Sequence, residues 1–273
     1  MQRRRIAVLA VAGLFGLTGC VAQGSAPQGE AAPSQQPGPK SHLSSILESG
    51  ELKVCTTGDY PPYSKLDPAT GKYSGIDIAL VEDLAKRLEV KPVYKITTWS
   101  AFTKDFLAGC DIGAGGVTIS LTRAKVAFFP QAHVQDGKTP ITLCENVGKY
   151  DTVAKINQPG VRSISPKGAS NQEFAEKSYP NGDLTLWEDN NTIFNEIIEG
   201  RADVMTTDAS ETRWAQKEHP ELCAVHPDEP FSTTEKAFML PLGDSTFQEY
   251  VDQWLTIAKR DGTYESAVKP WWG

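Results

Sequence analysis

Two successive α/β units and a short C-terminal return predict a two-lobed α/β protein with a ligand cleft between its lobes. Three features of the 273-residue sequence carry that expectation. Short runs of strand composition alternate with segments whose apolar residues recur at helical spacing. Glycines at 50, 109 and 200 close helical segments. The pattern then restarts after Gly160. Alternating strands and helices build parallel sheets with ligand chemistry at the strand carboxyl ends, and a cleft between two such units takes small molecules.

In chain order, Leu43 to Ser49 reads as a short helix closed by Gly50, and Leu52 to Thr56 as a strand. Ile78, Val81, Leu84, Ala85 and Leu88 recur at helical spacing. Pro92 to Thr97 is a second strand, Phe102, Phe106 and Leu107 mark a helix, and Cys110 to Ile112 opens a third strand. The second unit repeats the order. Gly160 to Ser165, Leu184 to Trp187 and Ala202 to Thr206 are strand-like; Asn171 to Lys177, Thr192 to Glu199 and Ala209 to Lys217 are helical. Ala237 to Leu240 is a returning strand, followed by an amphipathic helix through Phe247, Tyr250, Val251, Trp254, Leu255 and Ala258. The expected lobes are 42–138 with 236–273, and 139–235.

The first residues predict export. Arg3, Arg4 and Arg5 precede an uncharged run from Ile6 to Leu17, which is too short to span a bilayer and fits the core of a signal peptide. Leu17-Thr18-Gly19-Cys20 resembles the bacterial lipobox, implying a leader over 1–19, a lipid on Cys20 and attachment to the cell membrane from outside. Residues 20–41, rich in Ala, Gln, Gly, Ser and Pro, cannot bury a core and read as a tether. The chain carries a formal charge of -7, and losing the leader removes three arginines and no acid. With no Lys/Arg run, nucleic acid is not an expected partner.

Cysteine usage agrees with an oxidising compartment. Beyond Cys20 there are four: Cys55, Cys110, Cys144 and Cys223, which allow three pairings. The first strand of a parallel sheet commonly neighbours the third, which favours Cys55 with Cys110; Cys144 and Cys223 then fall together in the second lobe. No CxxC or HxxxH spacing occurs, so neither a metal nor any other cofactor is expected.

Several stretches resemble a known family. Lys53–Tyr60 (KVCTTGDY), Gly75–Ile78 (GIDI) and Val117–Arg123 (VTISLTR) resemble the amino-acid class of type-2 periplasmic binding proteins. Asp136–Cys144, Asp189–Phe194, His219–Pro227, Glu235–Ala237 and Tyr250–Leu255 resemble the cyclohexadienyl dehydratases, which are built on that fold. The resemblance extends from Leu43 to the C-terminus. It implies a protein that removes water and carbon dioxide from prephenate or arogenate, giving an aromatic product, with a general acid assisting the departing hydroxide. That acid is a glutamate just after an asparagine at the start of the first helix of the second lobe. Aligned on Asn171 and Phe174, this sequence has Gln172 there, and an amide has no proton to give at neutral pH. Glu173 follows one residue on, turned by about 100° on a helix.

The expected binding residues follow from their chemistry. Arg123 can grip a carboxylate through two parallel hydrogen bonds, with Thr118 and backbone N–H groups near Gly116 completing the grip. Gly113, Gly115 and Gly116 do not form a dinucleotide loop, since Thr118 stands where the last glycine of that motif would be. Asp208 sits where amino-acid-binding relatives hold a ligand ammonium, and could equally cap the following helix. Ser170 and Asn171 open a helix, whose free N–H groups favour anions. Tyr63 and Trp99 could wall a ring, Lys138 could meet a second carboxylate, and His133 reads as structural. Two functions stay open: an exported dehydratase, or a lipoprotein that delivers an amino acid or related carboxylate to an ABC permease.

Overall fold

The computed structural model describes residues 40–168 and 170–272. The expected leader, the lipidation site Cys20 and the tether up to 39 lie outside them. Ser41 belongs to the folded part: its hydroxyl accepts from the Leu43 N–H to cap the first helix and donates to Asp244 at 3.0 Å.

Each lobe is built on its own sheet. In the first, the strand Glu51–Thr56 lies between Lys91–Ile96 and Ile112–Gly113, all parallel. Cys55 pairs in register with Gly113, which brings the chain at Cys110 alongside, and the Cys55–Cys110 disulfide forms. The helix Ile76–Arg87 buries Ile76, Ile78, Leu80, Val81, Leu84 and Ala85. The helix Ser245–Arg260 lays Phe247, Val251, Trp254, Leu255 and Ala258 into the same core. Full burial of such side chains contributes roughly 1.5–3 kcal/mol each.

The second sheet has five strands in the order Asp183–Trp187, Arg162–Pro166, Val204–Asp208, Lys138–Leu143 and Leu222–Ala224. The first three run parallel, Lys138–Leu143 runs antiparallel to them, and Leu222–Ala224 reverses again beside it. Cys223 pairs with Thr142 beside the strand end, where Cys144 closes the second disulfide. The periodic segments form the expected elements with small shifts: the strand read at Ala202–Thr206 is Val204–Asp208, and the return strand read at Ala237–Leu240 is reduced to Leu240–Pro241 with an isolated bridge at Met239.

The chain passes between the lobes twice. Val134–Asp136 leads into the second lobe and Thr234–Lys236 leads back, and the two strands pair antiparallel. This ribbon positions the site, because it carries polar side chains into the space between the lobes. No helix among the described residues is long and apolar enough to cross a membrane.

Candidate functional site

The lobes meet over a small polar cavity lined by Tyr60, Trp99, Gly116, Thr118, Arg123, Ser170, Asn171 and Asp208. Its volume is about 10 Å³, room for about one water. The lobes are therefore closed. Gly168 shows how closely they meet: at φ +81° it approaches Ser100 of the other lobe so tightly that a Cβ would lie 2.4 Å from the Ser100 Cα.

The centre of the site is a charge cluster at the ribbon. Asp208 ends its strand opposite Lys138 in the antiparallel register, and opposite charges facing across a ladder attract. Lys138 Nζ lies 2.9 Å from Asp208 Oδ1, and Lys236 Nζ lies 2.6 Å from Oδ2. The Tyr60 hydroxyl donates to the same Oδ2. All four side chains are buried. Burial alone would raise the Asp208 carboxyl, but the Lys138 and Lys236 ammoniums overcome that and hold it far below the usual carboxylate range. Burial lowers Lys138, against the pull of Asp208.

This arrangement gives Asp208 partners within the protein. Its carboxylate holds two ammoniums. Its side chain does not cap the following helix, since no capping hydrogen bond forms.

The other expected residues divide. Arg123 lies on a short helix capped by Ser120, lines the cavity, and donates to the Thr118 carbonyl at 2.9 Å. Burial lowers its pKa, opposed by the charge of Glu173. Ser170 donates to the Thr118 hydroxyl across the lobes at 3.3 Å. Asn171 accepts from Lys138 and donates to Thr207 at 2.8 Å. Trp99 stands edge-on to Tyr60 with ring centroids 5.3 Å apart, and walls the cavity as expected.

Tyr63 does not wall it. It lies behind Tyr60, with ring centroids 5.9 Å apart, and its hydroxyl donates to Asp136 and Ser210, both at 2.9 Å. The tyrosine ring that lines the cavity is Tyr60. Gly116 does not offer its N–H to the cleft either. The N–H groups of Gly115 and Gly116 both donate to Asp77 Oδ2 at 2.8 Å. Asp77 is braced in turn by His133 at 2.8 Å, which gives that histidine the structural role expected of it. At φ +77°, Gly116 passes so near the Tyr63 ring that a Cβ would lie 2.5 Å from its Cδ2.

Gln172 and Glu173 differ in where they act. The Gln172 carboxamide accepts from the Gly168 N–H at 2.7 Å and donates to Glu176 at 2.7 Å, so it is spent on its own helix start. Glu173 is exposed, with its charge felt at Arg123. The residue after the expected acid position is the one electrostatically coupled to the cleft.

Sequence reasoning missed Tyr60 and Lys236 as site residues. Both lie in stretches that carried the family resemblance, but neither sits in a periodic element whose facing could be read.

The family profile described as bacterial extracellular solute-binding proteins, family 3, matches residues 52–273. The chain is 43% identical over 233 residues to a cyclohexadienyl dehydratase from Pseudomonas aeruginosa, covering 85% of this chain and 86% of that one. Among solved structures, it superposes with a TM-score of 0.79 at 31% identity on an ancestral amino acid-binding protein described as a precursor of cyclohexadienyl dehydratase, covering 85% of this chain and 99% of that one. With an ancestral cyclohexadienyl dehydratase it shares 42% identity and a TM-score of 0.53, over 85% and 97% of the two chains. The chain belongs to the bacterial extracellular solute-binding proteins, family 3.

Proposed function

We propose that the chain is an exported cyclohexadienyl dehydratase that closes over prephenate, or the related arogenate, and releases water and carbon dioxide to give the aromatic product. One observation carries this reading. Arg123 lines the cleft together with Asp208, whose carboxylate is already held by Lys138 and Lys236, so the site favours anionic groups. Prephenate has two carboxylates and no amine, which suits that balance. The similarity to the Pseudomonas aeruginosa enzyme over most of both chains supports it. The leader and Cys20 pattern support export and a lipid anchor, and the extracellular family supports export.

In this reading Arg123 and Thr118 hold one carboxylate, and the Lys138–Lys236 pair attracts the other. Closing excludes water and fixes the ring against Trp99 and Tyr60. Positioning of this kind accelerates a reaction whose aromatic product already makes it downhill. The departing hydroxide still needs a proton. Gln172 supplies none, so turnover is slow or draws on Glu173.

A second reading stays because of Gln172: a receptor that binds a carboxylate without converting it and hands it to an ABC permease. The test is phenylpyruvate formation from prephenate by the purified protein at neutral pH. The dehydratase reading expects turnover above background, a rise of about 10²–10⁴-fold in Gln172→Glu, and a loss in Glu173→Gln. No turnover in either the wild type or Gln172→Glu would leave the receptor.

A further inference from the structure

The helix Ala209–Glu218 carries a carboxyl that the cleft chemistry does not use. Glu211 is 0% exposed, although glutamate is almost never fully buried unless paired with a cation. Within its own lobe it accepts from the Thr207 hydroxyl at 2.5 Å and from the Asn190 amide at 3.4 Å. The first lobe brings Asp59 to the same place, and a cavity of about 250 Å³ between the lobes is bordered by both carboxyls.

The closed interface leaves buried polar atoms unpaired here, among them the Thr57 hydroxyl and the Trp99 indole N–H near Asp59. One carboxylate oxygen of Asp59 and the carbonyl oxygen of Asn190 are buried without a hydrogen-bond partner. Lys65, which borders the same cavity, holds its ammonium 5.4 Å over the Trp214 ring. The charges facing Glu211 are Asp59 from the first lobe, Asp208 from the end of the neighbouring strand, and Lys236 from the ribbon; Glu218 and His219 border the cavity further along the helix. Two like charges in one buried site cannot both be kept ionised cheaply.

We propose that closing the lobes takes up one proton from solvent at Glu211, so that closure, and with it ligand capture, depends on pH. The proton gives Glu211 an O–H in a place where the Asn190 carbonyl and an Asp59 oxygen lie unpaired, and it removes the repulsion with Asp59. In the closed form burial pushes the Glu211 carboxyl up to about 8; the Thr207 hydrogen bond opposes this, while Asp208 and Asp59 add to it. Opening parts Glu211 from Asp59 and admits water, returning it toward an ordinary glutamate near pH ~4.3. The closed form therefore holds the extra proton between those two values. Closure is strongest on the acid side of that window and weakens as pH rises, by up to about tenfold per unit, levelling off above the closed-form value. None of this depends on which carboxylate the cleft takes.

Small-angle X-ray scattering of the purified, ligand-free chain from roughly pH 5.5 to roughly pH 9.5, on either side of the closed-form value of about 8, reads the opening directly. The expected result is a radius of gyration that rises with pH in the wild type and stays constant in Glu211→Gln, which keeps the shape of the neutral acid. Asp59→Asn relieves the repulsion and should reduce the rise, and His219→Gln should leave it in place. Wild-type dimensions that do not change with pH would overturn the proposal. So would a rise that persists in Glu211→Gln, or, should that variant not fold, one that Asp59→Asn leaves undiminished.

Discussion

Arg123 and Asp208 were both legible as ligand residues, yet the structure gives them opposite standing. Arg123 sits at the cavity with one N–H on the Thr118 carbonyl, its guanidinium otherwise held by no carboxylate among the described residues. Asp208 is fully engaged by Lys138, Lys236 and Tyr60. A charge that has lost its water and lacks a protein partner is where a ligand gains most. Arg123→Ala should therefore weaken binding of the carboxylate ligand by about 2–5 kcal/mol while leaving the fold intact. Calorimetry with circular dichroism checks both halves, and unchanged affinity would remove Arg123 from the site. The Lys236 role was not legible because a lysine next to the apolar run Ala237–Leu240 reads as a flanking solubiliser. Only the pairing of Thr234–Lys236 with Val134–Asp136 turns it inward.

At the scale of elements, the readable parts were those with a period. The helices Ile76–Arg87 and Ser245–Arg260 and the strand Glu51–Thr56 fell where apolar spacing put them, because burial selects one face. The segment from Asp59 to Tyr63 has no such period, so the sequence alone does not tell Tyr60 from Tyr63 as the ring at the cavity. Topology carried the cysteines further. Parallel pairing of the first and third strands brought Cys55 to Cys110, and the strands Lys138–Leu143 and Leu222–Ala224 brought Cys144 to Cys223. Each bridge closes a long loop, of 55 and 79 residues, and removes several kcal/mol of chain entropy from the unfolded state, about 4 kcal/mol apiece in the loop-closure account. Thiol titration of the denatured, unreduced and lipidated protein should read zero. Two reactive thiols would mean that one bridge does not form in the cell.

At the scale of the molecule, the closed lobes leave only about 10 Å³ at the charge cluster, so any ligand larger than water must find the lobes open and be enclosed as they shut. The residues that would meet it come from both lobes: Arg123, Thr118 and Trp99 from one, Ser170, Asn171 and Lys138 from the other, with Lys236 on the ribbon between them. Closure thus selects a ligand that satisfies both sides at once. The central claim is that this cleft favours the dianion without an amine, prephenate ahead of arogenate, since Asp208 is already held by two ammoniums. Isothermal titration of the purified protein with prephenate, and separately with L-arginine and L-phenylalanine, tests it most directly. The account predicts that prephenate binds and that both amino acids bind at least about 10²-fold more weakly, their ammonium having no free carboxylate to meet. Micromolar binding of either amino acid, with no heat from prephenate, would contradict it.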